Sequence, residues 1–449
     1  MWETRQTNKT YMGPNGGGRF QDPLSPIRIV DIELAERIPA LAYDGSRNRL
    51  LFMVRLHTEP IGLCAGSIGP DGLGPDAIAA VLWRRLGGAV ATRFDAAGLK
   101  CPQHLTASGL QVDRVEWPFA ISRRQALVSG PLVTVVICTR NRPVLLEMCL
   151  RRLAQQDYTR FDVVVVDNAS DGDATRRVVE LLGTELRCRY VREPRVGLSR
   201  ARNTGILSAS GDIIAFLDDD DEPDRYWLGG LIYGFARSEN VGCVTGPVMP
   251  ARLDTIAEQV FELMGGEHGG RGLSRRTFSA SGPENPLFPL PPFGVGANMA
   301  FQRKVLEAIN GFDVALGAGT PAAACEDTLA LTLTLLLGHD IAYEPAALVW
   351  HHHRPELAAL EKQLNGYSVG LTAFYAALLR RRPTELPALV KLGPSAVRYL
   401  IKNSAGSAEL AAYVSRSHLR GLAVGPLAYW WGRRQACRHS SELDPDAAV

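Results

Sequence analysis

Four consecutive aspartates, Asp218 to Asp221, follow the apolar run Ile213-Ile214-Ala215-Phe216-Leu217. A strand buried on both faces that ends in several carboxylates builds an oxygen-rich site where a divalent cation and phosphate can meet. Such a site suits chemistry on a nucleotide-activated substrate. An acidic run is also a common solvated turn, and alone the tetrad is compatible with either reading. A triplet of imidazoles, His351-His352-His353, follows the apolar run Ala346 to Trp350. If the strand continues through them, alternation sends His351 and His353 to one face and His352 to the other, so all three cannot hold one ion without a bend.

These residues need a scaffold. Val133 to Cys138 is an apolar, β-branched run followed by the polar turn Thr139-Arg140-Asn141-Arg142-Pro143. Leu145, Met148, Cys149 and Leu153 then recur at helical spacing behind a proline suited to a first helical turn. Phe161 to Val166 repeats the pattern, ending in Asp167-Asn168-Ala169-Ser170-Asp171-Gly172 before a helix from about Ala174 to Leu182. A third strand, Arg187 to Val191, leads through Gly197 into a short helix and the strand before the aspartates. Strands alternating with helices predict a parallel sheet with right-handed crossovers and a ligand beyond the strand C-termini. Three strands then present polar side chains to one rim: Thr139, Arg140 and Asn141; Asp167 and Asn168; and Asp218 to Asp221. Turn chemistry explains one such cluster, and three together favour a site.

The runs Val135 to Pro143, Val164 to Ser170, Gly197 to Gly205 and Phe216 to Asp221 are similar to those of family 2 glycosyltransferases of the GT-A fold. The resemblance continues through Gly296-Ala297-Asn298, Gly311-Phe312-Asp313, Glu326-Asp327 and Val349-Trp350-His351, from about residue 131 to about residue 380. It implies an α/β, Rossmann-like, mainly parallel sheet flanked by helices. It implies inverting transfer of a sugar from a nucleoside-diphosphate sugar to an acceptor hydroxyl of a glycan, a lipid-linked molecule or a small molecule. Uracil is the expected donor base, with guanine and thymine open. By the same resemblance Asp167 receives the base, and Thr139, Arg140, Asn141 and Asn168 belong to the nucleoside pocket. Arg202 stands near the donor, and Asp218 faces ribose or sugar with Asp219 beside it. Asp220, with Asp218 and His351, would hold Mn²⁺ or Mg²⁺. Asp327 is the implied base, with Glu326 orienting it or the acceptor. Asp327 also suits a first-turn carboxylate of the helix Thr328 to Leu337, and both roles can hold together. Leu329 and Leu333 depart from the family pattern and are expected to make the acceptor side less polar.

The same residues bear on two other functions. A nucleotidyltransferase would need a Gly-rich phosphate-gripping loop after the first strand, and Thr139 to Pro143 has no glycine. A non-catalytic sugar-nucleotide or glycan-binding protein would be free to lose Asp218, Asp220, Glu326 or Asp327, and all four are present.

The remainder of the chain is less explicit. With 449 residues, 46% hydrophobic and 21% charged, it suits two or three soluble domains, and a net charge of +2 gives no sign of a nucleic-acid partner. Residues 1–26 are polar and Gly-rich, are expected to be disordered, and hold no signal-peptide core. Alternation at Val30, Ile32 and Leu34, a strand at Leu50 to Leu56, and helical spacing of Ile78, Val81, Leu82 and Leu86 predict a small α+β accessory domain over 27–129. Bracing of the catalytic domain, expected at 131–355, is its favoured role. The Gly- and Pro-rich stretch from Gly265 to Gly296 is expected to form an acceptor-side loop that orders on donor binding. A helical extension over 356–449 is basic, with 13 Lys and Arg against 7 Asp and Glu from Arg354 onward. Packing on the catalytic domain is favoured there over peripheral contact with an anionic membrane. Eight scattered cysteines without a Cys-x-x-Cys pair, and no apolar run of about 20 residues, point to a reducing cytoplasm, at most peripheral to the inner face of the membrane.

Overall fold

A computed structural model of the protein describes residues 25–110, 117–264, 272–288, 293–404 and 418–441. The order of elements is β1 (Ile27–Glu33), β2 (Arg49–Leu56), β3 (Glu59–Ser67), α1 (Pro75–Ala96), α2 (Pro118–Ser129), β4 (Val133–Thr139), α3 (Pro143–Leu153), β5 (Phe161–Asn168) and α4 (Ala174–Leu186). Next come β6 (Cys188–Glu193), α5 (Leu198–Ser208), β7 (Ile213–Asp218), β8 (Asp221–Pro223), α6 (Trp227–Phe235), β9 (Val241–Thr245), β10 (Val248–Pro250), α7 (Ile256–Leu263) and β11 (Arg276–Phe278). They are followed by β12 (Asn298–Gln302), α8 (Arg303–Ala308), α9 (Glu326–Leu336), β13 (Asp340–Tyr343), β14 (Val349–His351), α10 (Leu357–Arg381), α11 (Leu386–Ser404) and α12 (His418–Ser441). The expected N-terminal segment falls largely on residues 1–24, and the expected acceptor-side loop partly on 265–271 and 289–292; all of these lie outside the described residues.

The central sheet has eight strands in the order β11-β13-β9-β12-β7-β4-β5-β6. Strands β7, β4, β5 and β6 run parallel, as the alternation of strands and helices predicts, while β12 enters antiparallel between β7 and β9. Both faces are buried, and the period of two sorts the side chains between them. Val133, Val135, Ile137, Val163, Val165 and Leu217 pack with Leu146 and Cys149 of α3 and Leu228 of α6. Val136, Val164, Val166, Ile214 and Phe216 point the other way, to Phe301, Phe312, Leu329 of α9 and Phe374 of α10. The parallel strands therefore end together, with Thr139, Asp167, Asn168 and Asp218 at their tips.

A separate three-stranded sheet, β10-β14-β8, lies beyond the end of β7. Strand β14 runs parallel to β10 and antiparallel to β8, a register that sets His351 opposite Asp221.

The N-terminal unit is a β1-β2-β3 sheet, with α1 packed on it around Ile32, Phe52, Val54, Leu82 and Phe94. Buried Arg55 joins Asp31 (2.9 Å) to Asp224 (2.6 Å), just past β8. Met53 packs against Met249 of β10 and Leu348, beside β14. Helix α2 contributes Ala126 and Leu127 to the core shared with α6.

Helices α10 and α12 join the main core through Ala373, Phe374, Ala377, Leu378 and Tyr429. Their anchor is Asp313, a buried carboxylate that accepts a hydrogen bond from Tyr429 Oη (3.0 Å) and faces Arg380 (3.7 Å), Arg381 (3.6 Å) and Arg433 (3.6 Å). Three of the basic side chains of this region thus converge on one buried carboxylate. No helix among the described residues is long and apolar enough to cross a membrane. Replacing Asp313 with Asn leaves three guanidinium groups without their carboxylate. Because two of them reach solvent, the expected cost is about 3 kcal/mol, at the lower end for a broken buried pair. Chemical denaturation measures it, and a change below about 0.5 kcal/mol, typical of an exposed position, counts against the anchor.

Candidate active site

A cavity of about 940 Å³ opens at the C-terminal ends of β4, β5 and β7. Of the residues singled out from sequence, Thr139, Arg140, Asn168, Arg202, Asp218, Asp219, Asp220, Glu326, Asp327 and His351 line it. Helix α10 supplies the facing wall with Lys362, Gln363, Gly366 and Tyr367.

Asn141 and Asp167 are set back from that wall. Asn141 has a positive φ of 56°, and its amide makes a reciprocal pair with Asp171, donating to the carboxylate (3.0 Å) and accepting from the backbone N–H (2.8 Å). This pairing staples the turn after β4 to the turn after β5. Asp167 is fully buried; Oδ2 accepts from Tyr190 Oη (2.7 Å), while Oδ1 has no hydrogen-bond partner among the described residues. Asn168 accepts from Gly197 N–H (2.9 Å) and donates to the Arg195 carbonyl (2.7 Å), holding the bend where Gly197 (φ 140°) caps α5.

The four aspartates have different partners. Asp218 Oδ1 lies 3.3 Å from Arg202. Asp219 accepts from Thr139 Oγ1 (2.7 Å) and Arg142 (3.0 Å). Burial and the charge of Asp220 push Asp219 up to about 6, against the pull of Arg142 and Thr139. Asp220 takes a second bond from Arg142 (2.9 Å) and has Arg354 at 3.5 Å. Burial works to raise its pKa, but His351, Arg142 and Arg354 outweigh it and hold the carboxyl below its ordinary value. At neutral pH the two arginines do this work, because burial, against the attraction of Asp220, lowers His351 to about 4 and leaves its ring neutral.

Asp220, Asp221 and His351 offer ligand atoms that all lie within 4.8 Å of one another. Two carboxylates and a neutral imidazole fit Mn²⁺ well and Mg²⁺ through the oxygens. Asp220 and His351 are expected members, but Asp221 stands where the sequence pointed to Asp218. The reason is register: β8 sets Asp221 opposite His351, while Asp218 is drawn to Arg202. As alternation predicts, His352 turns away, to Glu222 (2.8 Å).

Across the cavity, Glu326 and Asp327 open α9 behind Cys325, whose φ is 70°. Asp327 Oδ2 accepts from Gly296 N–H (2.6 Å) and Oδ1 from its neighbour Thr328 N–H (2.6 Å). A Cβ at Gly296 would stand 2.9 Å from the Arg202 guanidinium and 3.1 Å from Asp327, so any larger residue there would press on both groups. Glu326 accepts from Arg202 (2.6 Å), whose guanidinium also donates to the Gly296 carbonyl (3.2 Å) and lies near the rings of Phe312 and Phe216. Burial and neighbouring Asp327 raise Glu326 to about 7 although Arg202 opposes them, and the surrounding carboxylates raise Arg202 despite its burial. Leu329 and Leu333 correct an expectation: both are buried in the core around Phe374 and do not line the cavity, so the acceptor side loses no polarity through them.

Arg142, Arg354 and Tyr190 had no role assigned from sequence. Arg142 could have been suspected from its place two residues after Arg140. Tyr190 acts through the β5–β6 pairing and Arg354 through the turn after β14, neither of which leaves a local signal.

Residues 134–309 match the family model described as Glycosyl transferase family 2. The chain carries a family 2 glycosyltransferase domain. Its fold is GT-A, with a small additional unit before it and helices after it. The chain is 26% identical over 242 residues to the probable glycosyltransferase YdaM of Bacillus subtilis, covering 51% of this chain and 52% of that protein. It is 26% identical over 340 residues to the pre-mycofactocin glycosyltransferase of Mycobacterium tuberculosis, covering 70% of this chain and 61% of that one. The chain thus spans about half the length of these curated relatives. Among solved structures, the mannosyltransferase PcManGT of Pyrobaculum calidifontis, in complex with GDP-Man and Mn²⁺, aligns with a TM-score of 0.45 and 19% identity over 79% of this chain and 99% of its own.

The raised Glu326 has a consequence for stability. The native state keeps a proton between the ordinary 4.5 and about 7 that the unfolded chain has released, so this group makes stability fall as pH rises through that window and level off above it. Asp219 acts in the same direction over a lower range. Urea midpoints between pH ~5 and ~8 should fall less in Glu326→Gln than in the wild type; equal slopes would show that Glu326 does not titrate there.

Proposed function

We propose that the protein is an inverting, metal-dependent glycosyltransferase that moves a sugar from a nucleoside-diphosphate sugar, with UDP the expected carrier, to an acceptor hydroxyl in glycan, glycolipid or glycoconjugate synthesis. The observation that carries this reading is a single cavity whose wall holds Asp327 together with Asp220 and His351 of the candidate metal cluster. The proposed catalytic unit, 131–355, needs α10 of the C-terminal extension to complete that wall, and the proposed accessory domain, 27–129, braces the β10-β14-β8 sheet through Arg55 and Met53.

The unpartnered Asp167 Oδ1 suits the imide N–H of uracil or thymine and would equally accept from guanine. Arg142 and Arg354 bring positive charge to where a diphosphate would lie beside Asp220. Asp220, Asp221 and His351 would hold Mn²⁺ or Mg²⁺, which would supply neutralisation of the charge that grows on the leaving diphosphate. Asp327 takes the acceptor proton as the hydroxyl oxygen bonds to the anomeric carbon from the face opposite the departing diphosphate, which inverts the centre. Two backbone N–H groups hold the Asp327 carboxylate, and Glu326 on Arg202 fixes the start of α9 beside it.

A thermal-shift panel of UDP, GDP, dTDP and their sugars with Mn²⁺, Mg²⁺ or EDTA identifies the donor, since ligand bound to the native state stabilises it. With that donor, Asp327→Asn is expected to lower nucleotide release by roughly 10²- to 10⁴-fold and to leave the nucleotide-induced shift intact. Undiminished release in the variant refutes the base assignment. A shift without any release from the wild type points to a non-catalytic sugar-nucleotide-binding protein.

Contact with the inner face of a membrane is proposed through α12, where Leu427, Trp430 and Trp431 are exposed on one side. Flotation with anionic liposomes should carry the wild type and leave behind Trp430→Ser/Trp431→Ser; a wild type that stays in the dense fraction removes this contact.

A further inference from the structure

His353 is buried behind the imidazole of the candidate metal cluster. The Nδ1 atoms of His351 and His353 are 2.8 Å apart, and His353 Nε2 is 2.8 Å from Glu262 Oε1. Phe261 packs edge-on against the His353 ring, with centroids 4.8 Å apart. Phe261 and Glu262 both belong to α7, which is distant in sequence from β14.

With Glu262 ionised and both imidazoles neutral, the direction of each hydrogen bond follows from counting protons. An ionised carboxylate only accepts, so Glu262 receives the Nε2–H of His353. A neutral imidazole has one N–H, which leaves His353 Nδ1 as a lone pair; the proton between the two Nδ1 atoms then belongs to His351. His351 therefore turns a bare Nε2 toward Asp220, 3.6 Å away. The opposite order would need an extra proton on the buried His353 ring or on Glu262, and it would leave His351 with an N–H where a ligand lone pair is required.

We propose that Glu262 and His353 are positioning residues that fix the tautomer and orientation of His351 and so make its Nε2 a metal ligand. The inference rests on the reading of this cavity as a metal-dependent donor site. A ligating histidine whose other ring nitrogen is held by an acceptor is oriented and made more basic; here the acceptor is a second histidine, itself held by a carboxylate. The ligand on β14 is thereby tied to α7 as well as to its own sheet.

Mn²⁺ titrated by EPR into the full chain, with UDP and separately with GDP, tests this without turnover. His353→Leu and Glu262→Ala are expected to weaken Mn²⁺ binding by roughly 10- to 100-fold. His353→Asn, whose side-chain oxygen can stand near the former Nδ1 and accept from His351, should recover most of that loss. Nucleotide binding in EDTA should be unchanged in all three, and circular dichroism checks their folding; if His353→Leu does not fold, Glu262→Ala and His353→Asn decide. Mn²⁺ affinity within about twofold of wild type in a folded His353→Leu or Glu262→Ala, or no recovery in His353→Asn, overturns the relay alone. A wild type that binds no Mn²⁺ with either nucleotide overturns the metal reading and the relay together.

Discussion

The guanidinium of Arg202 holds the two sides of the cavity together. It is buried, comes from α5, and reaches Glu326 at the head of α9, Asp218 at the tip of β7 and the carbonyl of Gly296 before β12. A charge buried this deeply is tolerated only with partners on several sides, so the segments that supply those partners are fixed relative to one another. Gly296 in turn offers its N–H to Asp327. One side chain therefore sets the spacing between the carboxylate proposed as base and the acidic end of the central sheet.

The rest of the molecule supports that arrangement from two directions. On the side of the β10-β14-β8 sheet, the N-terminal unit presses Met53 onto Met249 and Leu348 and ties Asp224 through Arg55. On the side of α9, the C-terminal helices are drawn in by Asp313 and pack Phe374 and Leu378 against the shared core. Both attachments use a buried charge of the glycosyltransferase domain or its neighbour, with apolar packing alongside.

The fold class was legible because β-branched runs and helical spacing repeat between Val133 and Asp218, and a sheet of that kind gathers its strand tips. Thr139, Asn168, Asp218, Asp219 and Asp220 could be placed at one rim for that reason. What the residues could not show was pairing between distant segments. Asp221 joins His351 through a three-residue strand contact, Tyr190 reaches Asp167 through β5–β6 register, and Arg55 finds Asp224 across a domain boundary. Leu329 and Leu333 misled for a related reason: α9 is apolar on most sides, so spacing alone did not reveal which face meets the core and which the cavity. In the basic clusters after His353, nothing local shows that Arg380, Arg381 and Arg433 converge on Asp313, which lies far earlier in the chain.

The wall formed by α10 has an implication for how such proteins diversify. The family match ends at residue 309, whereas Lys362, Gln363 and Tyr367 face the cavity from well beyond it. Those side chains stand on a single long helix whose opposite face is held by the core, so they can change without disturbing the strand tips across the opening. In the proposed function this helix wall meets the molecule that is modified, so its selectivity can drift in a lineage while Asp220, Asp327 and His351 across the opening keep their places.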